Sequence, residues 1–368
     1  MAAPVSGIMN EEFAAYSLRK LYSQYGFNVF KMNKFEEYDL YIKNKDFLIS
    51  DNIITFTDLN GRLMAMKPDV TLSIIKSLET DKKELNKVYY DENVYRVPKG
   101  SGSYREIRQV GLECIGNVDD FCIFEVLMLA AKSLTAISPD AIIDISHMGI
   151  LSGIIEDAGL SYNASKKILK CISEKNTHEI SDICTEENCS DEITELIRTL
   201  AFISGKPDTV LPQLKDLVGD KYANEYSMLE KICNAFHNAG LSELLRIDFS
   251  VVNDMNYYNG IVFRGFIKDI PTRVLSGGQY DKLMKKMGNS KKAIGFAVYI
   301  DLLSAMWDYG KEYDTDVALL YDDYDDFAKI DEVRMSLLKY FNSVTALNVI
   351  PDGFRYKKLI RVSDCEVQ

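Results

Sequence analysis

Residues Val94–Gly116, VYRVPKGSGSYREIRQVGLECIG, constrain the fold more than any other stretch. Two segments of alternating polarity flank a Gly/Ser-rich turn from Gly100 to Ser103. A period of two predicts a long antiparallel hairpin. From Arg105 onward the odd positions include Arg105, Gln109 and Glu113, so a cation, an amide and a carboxylate share one face. Burying that face inside a purely structural strand would leave several polar groups to satisfy. It therefore reads as the floor of a ligand cavity. The plainer alternative is the solvated face of an edge hairpin.

The rest of the first three hundred residues supplies neighbours for this hairpin. Residues 10–26 predict a helix, with Asn10 as cap, Glu11 and Glu12 in the first turn and Gly26 as the stop. Phe27–Lys31 reads as a short strand and FEEYDLYI, from Phe35, as a short helix. Ile53–Asp58 and Arg62–Met66 predict a hairpin around Asn60-Gly61. Lys67-Pro68-Asp69-Val70-Thr71 then opens a helix over 71–78, because proline sets the backbone for a first turn. Asp69 either meets a ligand there or simply caps the helix. FCIFEVLMLAAKSL is apolar enough to pack behind a sheet, and Asp140–Ser146 is a buried strand with His147 at its edge in a structural role.

Residues 151–245 turn helical, over 151–157, 162–173, 191–202, 207–216 and 222–238, with polar connections, notably 174–192. The acidic run from Glu186 to Glu195 reads as a solvated face. Strand signals return at 245–251 and 256–268, with Asn259-Gly260 marking a turn or bulge; on a strand, Tyr257 and Tyr258 would point to opposite faces. Thr272–Ser276 reads as a strand ending in Gly277-Gly278, which allow close backbone approach and bring Tyr280 inward; a buried tyrosine opening a helix is the alternative. Ala293–Val298 is a strand leading into a helix over Asp301–Trp307. Residues 315–361 read as a small α/β appendage, with strands at 316–321, 344–349 and 357–362 and a helix at 328–341.

Four stretches carry a resemblance, in chain order MAMKPDVT at 64–71, Val94–Gly116, NYYNGIVF at 256–263 with SGGQYDKL at 276–283, and KKAIGFAVYIDLL at 291–303. Together they resemble the class II aminoacyl-tRNA synthetases, the histidyl enzymes most closely, and among relatives the regulatory subunits of ATP phosphoribosyltransferase. The resemblance implies an α+β fold: an antiparallel sheet flanked by helices, with a helical insertion. Residues 1–310 would form this core, including the mainly helical 151–245, and 311–368 a small α/β domain shorter than an anticodon-binding domain. It also implies a dimer contact near residues 27–41, where the family's usual proline is missing.

Residue by residue, the resemblance implies that Asp69, Thr71 and Gln109 surround the amino and carboxylate groups of a bound histidine. Glu113, Tyr258 and Tyr280 would surround its imidazole. Arg96 and Arg105 match phosphate-facing or structural arginines. The ATP half departs from the active enzymes. Ser103 stands where a further arginine is usual, and Asn253-Asp254 stand where an arginine-glycine pair is usual. The third-motif arginine is missing, and no arginine occurs from 274 to 333. Losing one preorganised charge stabiliser commonly lowers a rate by about 10²–10³-fold. The chain is therefore expected not to make an adenylate. It would instead join a short catalytic ATP phosphoribosyltransferase as a dimer within a hetero-oligomer, relay histidine inhibition, and need no cofactor or metal. A stand-alone paralogue binding histidine or a related ligand is the alternative, and an active histidine–tRNA ligase a further one.

Composition agrees with that expectation. The chain has 368 residues, enough for one large core and one or two appendages. Its 55 acidic and 43 basic residues leave a net charge of −12, which argues against a wide tRNA footprint. Seven cysteines form no CxxC pair and read as reduced thiols; the Cys184 and Cys189 spacing is only a faint metal signal. Three histidines, at 147, 178 and 237, form no paired motif. Met1–Ile8 lacks a basic region and a long apolar run, and no run of membrane-spanning length follows, so a cytoplasmic chain is expected.

Overall fold

The computed structural model describes residues 10–44, 53–78, 83–97, 102–252, 257–306, 313–322 and 326–364. Contacts group them into two units, Asn10–Met306 and the described residues after it.

The first unit begins with α1 (Asn10–Gln24), β1 (Asn28–Val29), β2 (Phe35–Glu37), α2 (Tyr38–Lys43), β3 (Thr55–Thr57), β4 (Leu63–Met66) and α3 (Thr71–Leu78). The hairpin β5 (Leu85–Arg96) and β6 (Arg105–Gly116) follows, then α4 (Asp120–Ile137) and β7 (Ala141–His147). Next come α5 (Met148–Asp157), α6 (Tyr162–Glu174), α7 (Thr177–Glu186), α8 (Asp191–Phe202), β8 (Ser204–Gly205), α9 (Pro207–Val218) and α10 (Ala223–Asn238). The unit closes with β9 (Leu245–Asp248), β10 (Ile261–Ile267), β11 (Leu275–Gln279), α11 (Asp281–Lys286), β12 (Lys292–Tyr299) and a 3-10 segment, Ile300–Met306.

Nine strands among the described residues form one sheet, in the order β1-β5-β6-β12-β11-β10-β7-β9-β8. The pairs from β5 to β7 are antiparallel; β1 joins β5, and β9 joins β7, in parallel. The hairpin pairs without a break from Leu85 opposite Gly116 to Arg96 opposite Arg105. Behind the sheet lies α4, capped by Asp119, whose side chain accepts the Cys122 N–H at 2.8 Å. Its Leu127, Ala130, Ala131 and Leu134 are buried. A side chain at Gly265 on β10 would meet Leu134, so that glycine lets the helix lie close to the strand. One face of the sheet is thus closed by apolar packing, and the opposite face is left to carry Gln109 and Glu113. A second sheet, β2-β4-β3, is antiparallel.

The second unit is β13 (Thr315–Leu320), α12 (Phe327–Leu337), β14 (Val344–Leu347) and β15 (Tyr356–Arg361). Its strands pair in parallel in the order β14-β13-β15, and α12 packs Ile330 and Val333 onto Leu319.

Several expectations need correction. Phe35–Glu37 is a strand paired with β4, and the helix starts only at Tyr38; β-sheet pairing overrode the local pattern. The polar stretch 174–192 contains a helix, α7, which buries only Ile180, Ile183 and Cys184 against its neighbours. The two glycines 277 and 278 lie inside β11 rather than beyond its end. The segment after β12 is 3-10, not α-helical, and Trp307 is outside the described residues. The turn from Gly100 to Ser103 is described only at Gly102 and Ser103.

Leu134 is fully buried between α4 and the sheet. Leu134→Ala should lower unfolding free energy by about 2–5 kcal/mol, measured by urea denaturation.

Candidate functional site

Three distant segments converge on Glu113. Strand β6 sets its odd residues on the face opposite α4, so Gln109 and Glu113 lie on one side, 3% and 2% exposed. Helix α3 begins at Thr71, whose hydroxyl donates to Glu113 Oε1 at 2.9 Å. Tyr280, at the N-cap of α11, donates its hydroxyl to Glu113 Oε2 at 2.6 Å. Burial pushes the Glu113 carboxyl up to about 8, while the Tyr280 and Thr71 hydroxyls pull it partly back. The neutral and ionised forms are therefore both within reach near neutral pH. The neutral acid can donate to an acceptor nitrogen, and the carboxylate can only accept.

Glycines make this arrangement possible. Gly295 on β12 stands opposite Glu113, and a side chain there would collide with Glu113 Oε2. Gly278 on β11 is opposite Gly295, and a Cβ there would come within 2.7 Å of the Tyr258 ring. Gly111, two residues before Glu113, faces Tyr90, whose hydroxyl would be 2.5 Å from an added Cβ. Three glycines on neighbouring strands thus form a bare patch of sheet, on which Glu113, Tyr90 and Tyr258 lie flat.

Tyr257 and Tyr258 do not alternate across a strand. They sit in the turn before β10, with ring centroids 4.4 Å apart and tilted by 38°, and Tyr257 also lies 5.8 Å from Tyr280. Both pack on the apolar cluster that contains Tyr90 and Tyr280. Asn259 pins this turn. Its amide nitrogen donates to Asp281 Oδ2 at 3.1 Å, and its oxygen accepts the Asp281 N–H at 2.9 Å. Asp281 Oδ1 in turn accepts the Ala293 N–H on β12 at 2.9 Å.

Asp69 plays the capping part, since its Oδ1 accepts the Leu72 N–H at 2.9 Å. Its Oδ2 faces Arg96 Nη2 at 3.5 Å. Arg96 is buried, whereas Arg105, opposite it at the mouth of the hairpin, is exposed. Asn253 and Asp254 are outside the described residues. The 3-10 segment presents Asp301, which accepts the Arg108 N–H at 2.8 Å. His147 caps α5, its Nδ1 accepting the Gly149 N–H at 3.1 Å, and burial holds its ring down at about 4. Among the described residues no cluster of His, Cys, Asp and Glu could hold a metal ion. Nor, among them, is any helix long and apolar enough to cross a membrane.

The structure thus gathers Thr71, Gln109, Glu113, Tyr258 and Tyr280 on one sheet face, with Asp69 buried near them, capping α3 and tied to Arg96. Sequence reasoning missed Tyr90, Tyr257, Asp281, Gly111 and Gly295. A glycine in each of two apolar strands, QVGLE and AIGFAV, was the available signal, because glycine inside a strand marks a close approach.

Residues 8–303 match the histidyl-tRNA synthetase family. The chain belongs to that family. Among its relatives, the ATP phosphoribosyltransferase regulatory subunit of Clostridium kluyveri is 30% identical over 292 residues, 77% of this chain and 74% of that one. The regulatory subunit of Acetivibrio thermocellus is 28% identical over 299 residues, 80% and 72% of the two chains. The histidine–tRNA ligase of Methanocaldococcus jannaschii is 29% identical over 296 residues, 78% and 70%. The fold is shared with an ATP phosphoribosyltransferase regulatory subunit/histidyl-tRNA synthetase from Bacillus halodurans, at a TM-score of 0.78 and 20% identity, covering 98% of each chain. It is also shared with a chain of an ATP phosphoribosyl transferase complex from Thermotoga maritima, at 0.63 and 18%, covering 79% of this chain and 97% of that one. Within that family, this protein is a paralogue of the histidyl enzymes of the ATP phosphoribosyltransferase regulatory-subunit type.

Glu113 titrates higher in the folded chain than its usual 4.5, so the fold favours the protonated acid. Its stabilising share is complete below about 4.5 and fades as pH rises through about 8. Glu113→Gln should flatten the fall in unfolding free energy across that window, as read by urea denaturation at a series of pH values.

Proposed function

We propose that this chain is a non-catalytic regulatory subunit of ATP phosphoribosyltransferase, acting in the first step of histidine biosynthesis. It would activate a short catalytic subunit and relay inhibition by histidine. The observation that carries the reading is an uneven set of residues: a buried polar cluster in which Thr71 and Tyr280 bond Glu113, and a nucleotide half without its family arginines. Identity to regulatory subunits from several organisms supports it.

Histidine suits the pocket chemically. Its imidazole has one N–H and one acceptor nitrogen. A Glu113 carboxyl near its titration point can meet either one, with Tyr280 and Thr71 hydroxyls beside it. A side chain unable to form those bonds would leave buried polar groups unpaired, which penalises it strongly. The Tyr257 and Tyr258 rings offer a flat wall for the imidazole. Asp69 and Gln109 would receive the amino and carboxylate ends.

Adenylation is not expected of this chain, nor is tRNA binding. Asp301 lies in the third-motif segment, where a nucleotide would need positive charge, and the net charge of −12 disfavours a polyanion. We further propose a cytoplasmic location and self-association as a dimer within the hetero-oligomer. The second sheet supports self-association: it exposes Phe35 and Phe56, packed edge to face at 5.0 Å on one face.

Phosphoribosyl-ATP formation by the organism's short catalytic subunit should appear only when this protein is added, and should fall as histidine is titrated in. Activity unaffected by the addition, with no co-elution of the two proteins, would refute the regulatory reading. Glu113→Ala and Tyr258→Ala should each weaken histidine binding in calorimetry by about tenfold or more, the loss of a hydrogen bond to a charged group or of an aromatic wall. Histidine-dependent ATP–pyrophosphate exchange should be undetectable.

A further inference from the structure

The loop Lys67-Pro68-Asp69 joins β4 to the first turn of α3, and so decides where Thr71 stands. Buried contacts hold it on both sides of the proline. Lys67, 1% exposed, donates from Nζ to Glu92 Oε2 at 2.7 Å, and the other oxygen of Glu92 accepts the Met32 N–H at 3.2 Å. The Lys67 backbone is paired as well, its N–H to Lys34 O and its carbonyl to the Tyr95 N–H. Arg96, 7% exposed, donates from Nε to the Pro68 carbonyl at 2.5 Å and turns Nη2 to Asp69 Oδ2 at 3.5 Å.

This use of an arginine is distinctive. A guanidinium serving a phosphate presents its fork outward, so that two parallel N–H bonds meet two oxygens of the anion. Here Nε and one Nη point inward to consecutive residues of a single loop. Proline donates no backbone hydrogen bond and has a fixed φ, so its carbonyl is a firm handle on the chain. Three residues beyond that handle is Thr71, whose 2.9 Å bond to Glu113 tolerates little displacement before it is lost.

We propose that Arg96 is a positioning residue of the ligand pocket: by clamping Pro68-Asp69 it sets the Thr71 hydroxyl against Glu113. Lys67 and Glu92 anchor the other side of the same loop. The consequence for histidine rests on the pocket proposed above; the clamp itself does not.

The test uses the full-length protein and two readouts. The Glu113 carboxyl is titrated by carbon NMR, and histidine affinity is measured by calorimetry with no nucleotide present. In Arg96→Gln the Glu113 midpoint should rise above its starting value of about 8, because the Thr71 hydroxyl that lowers it has moved away. Thr71→Val should give the same rise, and the double variant no further rise. Histidine should bind about tenfold more weakly to Arg96→Gln, the loss of a hydrogen bond to a charged group. A midpoint unchanged in Arg96→Gln while Thr71→Val moves it would overturn the clamp. Should Arg96→Gln fail to fold, Arg96→Lys serves instead. Lysine keeps the positive charge and loses the guanidinium's two-pronged grip on Pro68 and Asp69, so a rise supports the clamp and an unmoved midpoint overturns it. Wild-type protein that binds no histidine would sink the pocket reading, and the Glu113 titration would still decide on Arg96.

Discussion

The Glu113 carboxyl, buried and held by two hydroxyls, is the interaction on which the rest of the site depends. A carboxylate deep in a sheet is unstable unless donors reach it. Thr71 and Tyr280 reach it from the starts of two helices more than two hundred residues apart in sequence. Each hydroxyl can arrive only if its helix begins at the right place, so the requirement propagates outward. It runs to Arg96, Pro68 and Asp69 on one side, and to Asn259, Asp281 and Ala293 on the other. The polar geometry of the pocket and the packing of α3 and α11 are therefore one problem with a single solution.

The glycines solve the complementary problem of space. A nine-stranded sheet covered by α4 on one face has no natural hollow on the other, because ordinary side chains would fill it. Leaving out side chains at Gly111, Gly278 and Gly295 opens a shallow bed that large rings and one carboxyl then occupy. The same economy separates this pocket from the nucleotide half. There the family's arginines are not matched, and Asp301 is bound to the Arg108 backbone. On the reading proposed above, an amino-acid pocket can outlast adenylation chemistry, since the two halves draw on different residues of the same sheet.

Much of this was legible beforehand. The β5–β6 hairpin announced itself by period two, α3 by Pro68, and α4 by its apolar run, and each is where those signals put it. The odd-numbered polar face of β6 is likewise where alternation places it. The failures share a cause. Phe35–Glu37 became a strand because β4 was there to pair with it, and α7 formed in a polar stretch because neighbouring helices cover its few apolar residues. Tyr257 and Tyr258 were expected on opposite faces because a strand was assumed through them. Asn259 and Asp281 instead tie off a turn that lets both rings stack on one side.

The sequence by itself determined the hairpin, the order of its neighbours, the family and the polar face of β6, because these follow from local periodicity and from motifs read along the chain. Tertiary structure alone decided what those residues do to one another. Asp69 became a helix cap, and Arg96 turned inward to grip Pro68 and Asp69. The Glu113 acid strength shifted because burial and two hydroxyls act on it together. Each of these is a property of distances between segments remote in sequence, and such distances are set only when the sheet closes over its glycines.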